Sequence, residues 1–106
     1  MTRLMVRYTV RADEAAANVK AIEGVFAQLA ERQPPGMGYA SFQLDDGLTF
    51  VHIFSGETDA ERDVLREMPA FQAFTAAVRQ RCDEPPVVTQ LSEVGSYGMF
   101  GGAVGK

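Results

Sequence analysis

The chain has 106 residues, 46% of them hydrophobic and 23% charged, the make-up of one ordinary globular domain and not of a disordered or fibrous chain. Ten basic against 14 acidic residues leave a net charge of −4, which argues against nucleic acid as a partner, because a polyphosphate backbone asks for a basic patch. A single cysteine, Cys82, excludes an intrachain disulfide, and a single histidine, His52, excludes a His-rich metal site.

The first ten residues are interrupted by Arg3 and Arg7 and lead to no small-residue cleavage site. No apolar run approaches the roughly 20 residues of a bilayer span. A lone thiol suits a reducing interior, so a cytoplasmic protein without membrane attachment is expected.

Residues 4–11 alternate cleanly, with Leu4, Val6, Tyr8 and Val10 on one face, and read as a first strand. Asp13 and Glu14 then open an alanine-rich helix that runs to about residue 32. Asp13 is expected to cap it, and both acids favour its positive end. Val19, Ile22, Phe26 and Leu29 give that helix one apolar stripe, and Pro34-Pro35-Gly36 end it.

Residues 39–44 and 48–55 read as two strands of a hairpin joined at Asp45-Asp46-Gly47. Two registers are open. A two-residue loop at Asp46-Gly47 sets Ser41 opposite His52, with Tyr39 and Gln43 on the same face. A three-residue loop brings Ala40 and Phe42 to that face instead.

Thr58-Asp59-Ala60-Glu61 matches a capping box. The helix it opens is interrupted near Met68-Pro69, where proline suits the first turn of a second segment. On that segment Phe71, Phe74, Val78 and Cys82 share a face. Pro85-Pro86 close it, and residues 87–94 read as a fourth strand. The last stretch, residues 95–106, holds five of the ten glycines and reads as a tail or arm.

The order is βαββαβ. It predicts an α+β, ferredoxin-like domain over residues 1–95 with a glycine-rich tail over residues 96–106, two helices covering one face of a four-stranded antiparallel sheet. Phe42, Leu44, Val51 and Ile53 make the hairpin too apolar for both of its faces to meet water, so sheet-to-sheet homodimerisation is expected. Arg7 falls on the uncovered face with Met5 and Thr9, and its expected ion-pair partner is Glu93 or a carboxylate of the other subunit.

Several motifs fail. Gly105-Lys106 lacks both the upstream glycine and the hydroxyl residue of a phosphate loop. Gly36-Met37-Gly38 has Ser41 where a dinucleotide fingerprint wants its third glycine. The acids Glu57, Asp59, Glu61 and Asp63 have a sufficient structural role at a helix start, so no metal is expected. Cys82 continues an apolar stripe and reads as a core thiol, not a nucleophile.

His52 is the residue open to interpretation. It shares a strand face with Phe50 and Phe54, so it either pairs its ring nitrogens in the core or lines a cavity as a general base or orienting group. Tyr8, on the helix-side face of the first strand, is the second candidate for that cavity.

The element order, the segment 49–55, Glu57-Thr58-Asp59-Ala60 and Met68-Pro69-Ala70-Phe71-Gln72-Ala73-Phe74 together resemble the dimeric α+β-barrel proteins, in the branch similar to antibiotic biosynthesis monooxygenases. The resemblance spans residues 3–95. It implies a homodimer with one small-molecule pocket per subunit between helices and sheet, an aromatic or polyketide-like ligand, and monooxygenase or cyclase chemistry without a cofactor. The oxygenase and haem-degrading branches commonly carry a tryptophan near the end of the third strand, where Gly56 stands here. The haem-degrading branch has a helix histidine where Thr75 falls. On the resemblance His52 and Tyr8 are the candidate catalytic residues, and Tyr39, Ser41, Phe50, Phe54, Phe71 and Phe74 the candidate ligand-binding ones. The other reading is a non-catalytic ligand-binding or assembly module with His52 packed in its core.

Overall fold

The computed structural model describes residues 1–99. The alternation of the first strand is realised over Thr2–Thr9 (β1), where Leu4 and Tyr8 are buried and Arg7 is exposed. A short 3-10 turn over Ala12–Glu14 leads into α1, Ala15–Arg32. Asp13 therefore does not cap this helix as expected. It sits inside the 3-10 turn, and no side chain bonds the helix start. At its other end Gln33 adopts a left-handed conformation, φ 47°, and returns its N–H to the Leu29 carbonyl, which satisfies an otherwise orphaned helix acceptor.

The hairpin strands are β2, Met37–Gln43, and β3, Thr49–Gly56. Ser41 pairs with His52 and Tyr39 with Phe54, so the first of the two registers is the one adopted. The turn closes through the Gly47 N–H to the Leu44 carbonyl, with Gly47 at φ 72°, a conformation that favours glycine. Asp46 accepts from the N–H groups of Leu48 and Thr49 and from the Thr49 hydroxyl. These bonds hold its carboxyl below the usual carboxylate range.

The second helical region breaks where the proline requires it, into α2, Ala60–Glu67, and α3, Pro69–Arg81. Glu61 accepts the Thr58 N–H, and the Thr58 hydroxyl accepts the Ala60 N–H, so the box closes one residue tighter than its usual pattern. Asp59 instead accepts from the Thr2 hydroxyl, and Asp63 pairs with Arg66. The last strand, β4, covers only Val87–Gln90 and not residues 87–94. Beyond it Glu93 forms its ion pair with Arg3 at 2.6 Å, not with Arg7. Alternation explains this: Arg3 and Arg7 share a face, and only Arg3 lies at the end of the sheet that the chain passes on leaving β4. Of the tail expected over residues 96–106, residues 100–106 lie outside the described residues.

The four strands form one antiparallel sheet in the order β2-β3-β1-β4. Cross-strand rows run over it. Ser41–His52–Val6–Val88 and Tyr39–Phe54–Leu4–Gln90 face the helices. On the other face the row Phe42–Val51–Arg7–Val87 is followed by Ala40–Ile53–Met5–Thr89. The core has two clusters on the helix side. One joins Tyr8, Val10, Val25, Phe50, Phe74, Val78 and Cys82; the other joins Leu4, Phe54, Leu65 and Met68. Among the described residues, no helix is long and apolar enough to cross a membrane.

Candidate functional site

The period of β3 puts His52 between Phe50 and Phe54 on the helix-facing side, and α3 closes over it. The imidazole is 3% exposed. It stacks on Tyr8 with ring centroids 5.3 Å apart and meets Phe74 at the same distance, tilted by 47°. Burial lowers its pKa to about 4, so at neutral pH it is an uncharged ring.

Both ring nitrogens are bonded. Nε2 lies 2.7 Å from the Tyr8 hydroxyl. Nδ1 lies 2.6 Å from the Ser41 hydroxyl and 3.0 Å from that of Tyr39. The register of the hairpin is what delivers Ser41 and Tyr39 to this nitrogen. Burial also raises both tyrosines above the ordinary phenol range, against the opposing hydrogen bonds from Asn18 to Tyr8 and from Ser41 to Tyr39.

Behind Tyr8 the network continues. Asn18, on α1 and with no exposed surface, donates its amide N–H to the Tyr8 oxygen at 2.9 Å. Its Oδ1 accepts from Arg81 Nη1 at 3.2 Å, and Arg81 Nε lies 3.4 Å from Glu14. Sequence reasoning missed all three of these residues. The available signal was the spacing 18, 22, 25, 29, which sets a single polar residue on the apolar stripe of α1.

Against this network lies a cavity of about 740 Å³, within the range of small-molecule sites. Leu4, Val6 and Val88 form its sheet side; Leu65, Phe71, Phe74 and Val78 come from the helices. Tyr8, Tyr39, His52 and Phe54 also line it, and its charged lining is Arg62, Arg66, Arg79 and Asp83. Of the expected ligand-binding residues, Tyr39, Phe54, Phe71 and Phe74 thus reach the wall. Ser41 contacts the site only through His52 and Tyr39. Phe50, 1% exposed, is sealed beneath Tyr8 and does not line the cavity. The Cys82 thiol is at the wall, but burial pushes its pKa up, the opposite of what an activated nucleophile needs.

At Gly56 a Cβ would sit 3.0 Å from the Phe54 ring and 3.1 Å from the Thr58 carbonyl oxygen. A tryptophan here has no room while Phe54 and the start of α2 keep their positions.

A ferredoxin-like α+β domain with a buried, hydroxyl-ligated histidine beside a mostly apolar cavity is the class that fold and site define. Its fold is that of solved structures described as antibiotic biosynthesis monooxygenases. A structure described as an antibiotic biosynthesis monooxygenase superposes with a TM-score of 0.76 at 14% identity, covering 90% of this chain and 100% of the other. A protein from Nitrosomonas europaea, provisionally named an antibiotic biosynthesis monooxygenase, gives 0.78 at 20% identity, with the same coverage. Rv0793 from Mycobacterium tuberculosis gives 0.75 at 20% identity, covering 90% of this chain and 96% of its own. No family model and no curated protein matches the chain.

Proposed function

We propose that this protein is a homodimeric small-molecule enzyme of the cofactor-independent monooxygenase or cyclase type, acting on an aromatic or polyketide-like substrate in the cytoplasm. The observation that carries the reading is that two hydroxyls bonded to the His52 ring, those of Tyr8 and Tyr39, belong to residues lining the cavity. A phenolic or enolic hydroxyl of the substrate donates to the Tyr8 oxygen, and the Tyr8 proton passes to His52 Nε2. The products are a substrate oxyanion and an imidazolium. The low resting pKa of His52 opposes this transfer in the empty site, and the new anion favours it, because opposite charges formed side by side in a poorly solvated cavity stabilise each other. The electron-rich anion then either reduces dioxygen, itself supplying the electrons, or closes a ring on a carbonyl of the same molecule. General base catalysis of this kind contributes about 10²–10⁴-fold, and the rest falls to positioning in the cavity.

A non-catalytic binding module is the second reading. It is favoured by the fact that both His52 nitrogens already have partners within the chain, as a purely structural core histidine would require. One experiment separates the two: oxygen uptake and product formation with a dihydroxyanthrone as the probe, comparing wild type with His52→Ala. Turnover above the autoxidation rate that falls at least about 100-fold in the variant supports the enzyme. Equal rates in both proteins favour the module.

A further inference from the structure

The hydrogen bonds around His52 have a direction, and it originates outside the cavity. The Arg81 guanidinium can only donate, so its contact with Asn18 Oδ1 fixes which end of the amide faces which way. The Asn18 N–H must then donate to the Tyr8 oxygen. Among the described residues the Tyr8 hydroxyl meets two polar partners, Asn18 Nδ2 and His52 Nε2. With the first a donor, the Tyr8 hydrogen goes to Nε2. An uncharged ring whose Nε2 accepts carries its proton on Nδ1. Nδ1 therefore donates, its one hydrogen shared between the Ser41 oxygen at 2.6 Å and the Tyr39 oxygen at 3.0 Å. As an acceptor from the shared Nδ1–H, the Tyr39 hydroxyl keeps its own hydrogen for the cavity that Tyr39 lines.

We propose that Arg81 and Asn18 are positioning residues that lock His52 in the Nδ1–H tautomer and so make Tyr39 a hydrogen-bond donor to an acceptor oxygen, a carbonyl or a phenolate, of the cavity ligand. The second half rests on the cavity being a ligand site; the first does not. Aligned donors polarise one another, and the chain starts at a fixed cation held by Glu14. It therefore presents Tyr39 to an oxyanion with its donor already oriented, which is what stabilising developing negative charge calls for.

The single histidine makes the tautomer directly readable. Nitrogen NMR of protein labelled with 15N-histidine at pH 7.5 is expected to show protonated Nδ1 and unprotonated Nε2; the reverse assignment overturns the proposal. Asn18→Asp keeps the shape and the partner for Arg81 but turns the amide donor into an acceptor. The Tyr8 hydrogen then goes to the carboxylate, and His52 Nε2 is expected to gain a proton. An Nε2 that stays unprotonated in the folded variant overturns the role of Asn18. Should Asn18→Asp not fold, Arg81→Met serves, since it frees the amide to rotate; an Nε2–H signal is expected to appear, and an unchanged spectrum overturns the role of Arg81. For the ligand atom, 9-fluorenone and fluorene are titrated in parallel. Wild type is expected to prefer the ketone by about fivefold, the worth of one neutral hydrogen bond, and Tyr39→Phe to lose that preference. No preference in wild type, or no binding of the ketone up to its solubility, overturns the acceptor-oxygen assignment while the tautomer result stands independently.

Discussion

Tyr8 and His52 are joined twice, by a 2.7 Å hydrogen bond between hydroxyl and Nε2 and by stacked rings with centroids 5.3 Å apart and planes inclined by 20°. The strands explain both. Tyr8 pairs with Phe50 and Val6 with His52 across β1 and β3, so the two rings are diagonal neighbours on one sheet face, the separation that aromatic side chains bridge. The tyrosine oxygen is also where α1 enters the site through Asn18. One side chain thus ties helix to sheet and closes one end of the imidazole.

The first prediction follows from the buried neutral ring. His52 has a folded-state pKa of about 4 against an ordinary 6.5. Between these values the unfolded chain binds a proton that the folded chain refuses, so stability is complete above pH 6.5 and falls as the pH drops towards 4. The shift corresponds to about 3 kcal/mol over that window. Urea unfolding midpoints measured at intervals from pH 7.5 to 4 should fall for wild type, with a much flatter profile for His52→Phe over the same range. Parallel profiles would exclude His52 as the source.

Tyr8→Phe should act on stability and chemistry together. It leaves the Asn18 amide N–H and His52 Nε2 buried without their shared partner, a cost of about 1–3 kcal/mol, readable as a lower urea midpoint at pH 7.5. If Tyr8 carries the substrate proton to His52, the same variant should lose turnover of the dihydroxyanthrone about as completely as His52→Ala does. A Tyr8→Phe protein that keeps wild-type turnover would remove Tyr8 from the chemistry and leave it a packing role.

Gly56→Ala tests how tightly the end of β3 is built. The new methyl carbon would meet the Phe54 ring at 3.0 Å and a backbone oxygen at 3.1 Å. The backbone oxygen, at the start of α2, has less freedom to yield than a side-chain tip. Overpacking of this kind costs about 1–3 kcal/mol. A thermal midpoint unchanged by the substitution would mean that the Phe54 ring and the Thr58 loop move aside at little cost.

What the sequence makes legible follows the local rules that the chain obeys. The period-two run through Leu4, Val6, Tyr8 and Val10 and the break at Met68-Pro69 are each set by a few adjacent residues, and each appears in the structure. His52 and Tyr8 stand out in sequence because polar rings on apolar strand faces are anomalous. The other half of the site is not local. Asn18, Arg81 and Glu14 come together only because α1 packs against α3, and nothing within 60 residues of Asn18 names Arg81 as its partner. Asp13 was misleading for a related reason: capping depends on where the first helical turn begins, and the 3-10 turn over Ala12–Glu14 moves that point past it.

The last prediction concerns the uncovered sheet face. Its central row sets Phe42, 51% exposed, and Val87, 61% exposed, on either side of Val51 and Arg7, and Met5 and Ile53 lie in the row beside it. A monomer would leave this surface in water, at about 25 cal/mol for each Å² of apolar area not buried. A second copy placed sheet to sheet would cover it while leaving both cavities, on the helix side, unobstructed. Arg7 then lies in or beside the interface, where a charge withdrawn from water needs a partner. Sedimentation at micromolar concentration should give a dimer for wild type, and Phe42→Asp should give a folded monomer, because a carboxylate withdrawn from water at that end of the row, two strands away from the Arg7 of its own subunit, costs several kcal/mol. Wild type sedimenting as a monomer would end the dimer, and Phe42→Asp remaining a dimer would move the interface elsewhere on the surface.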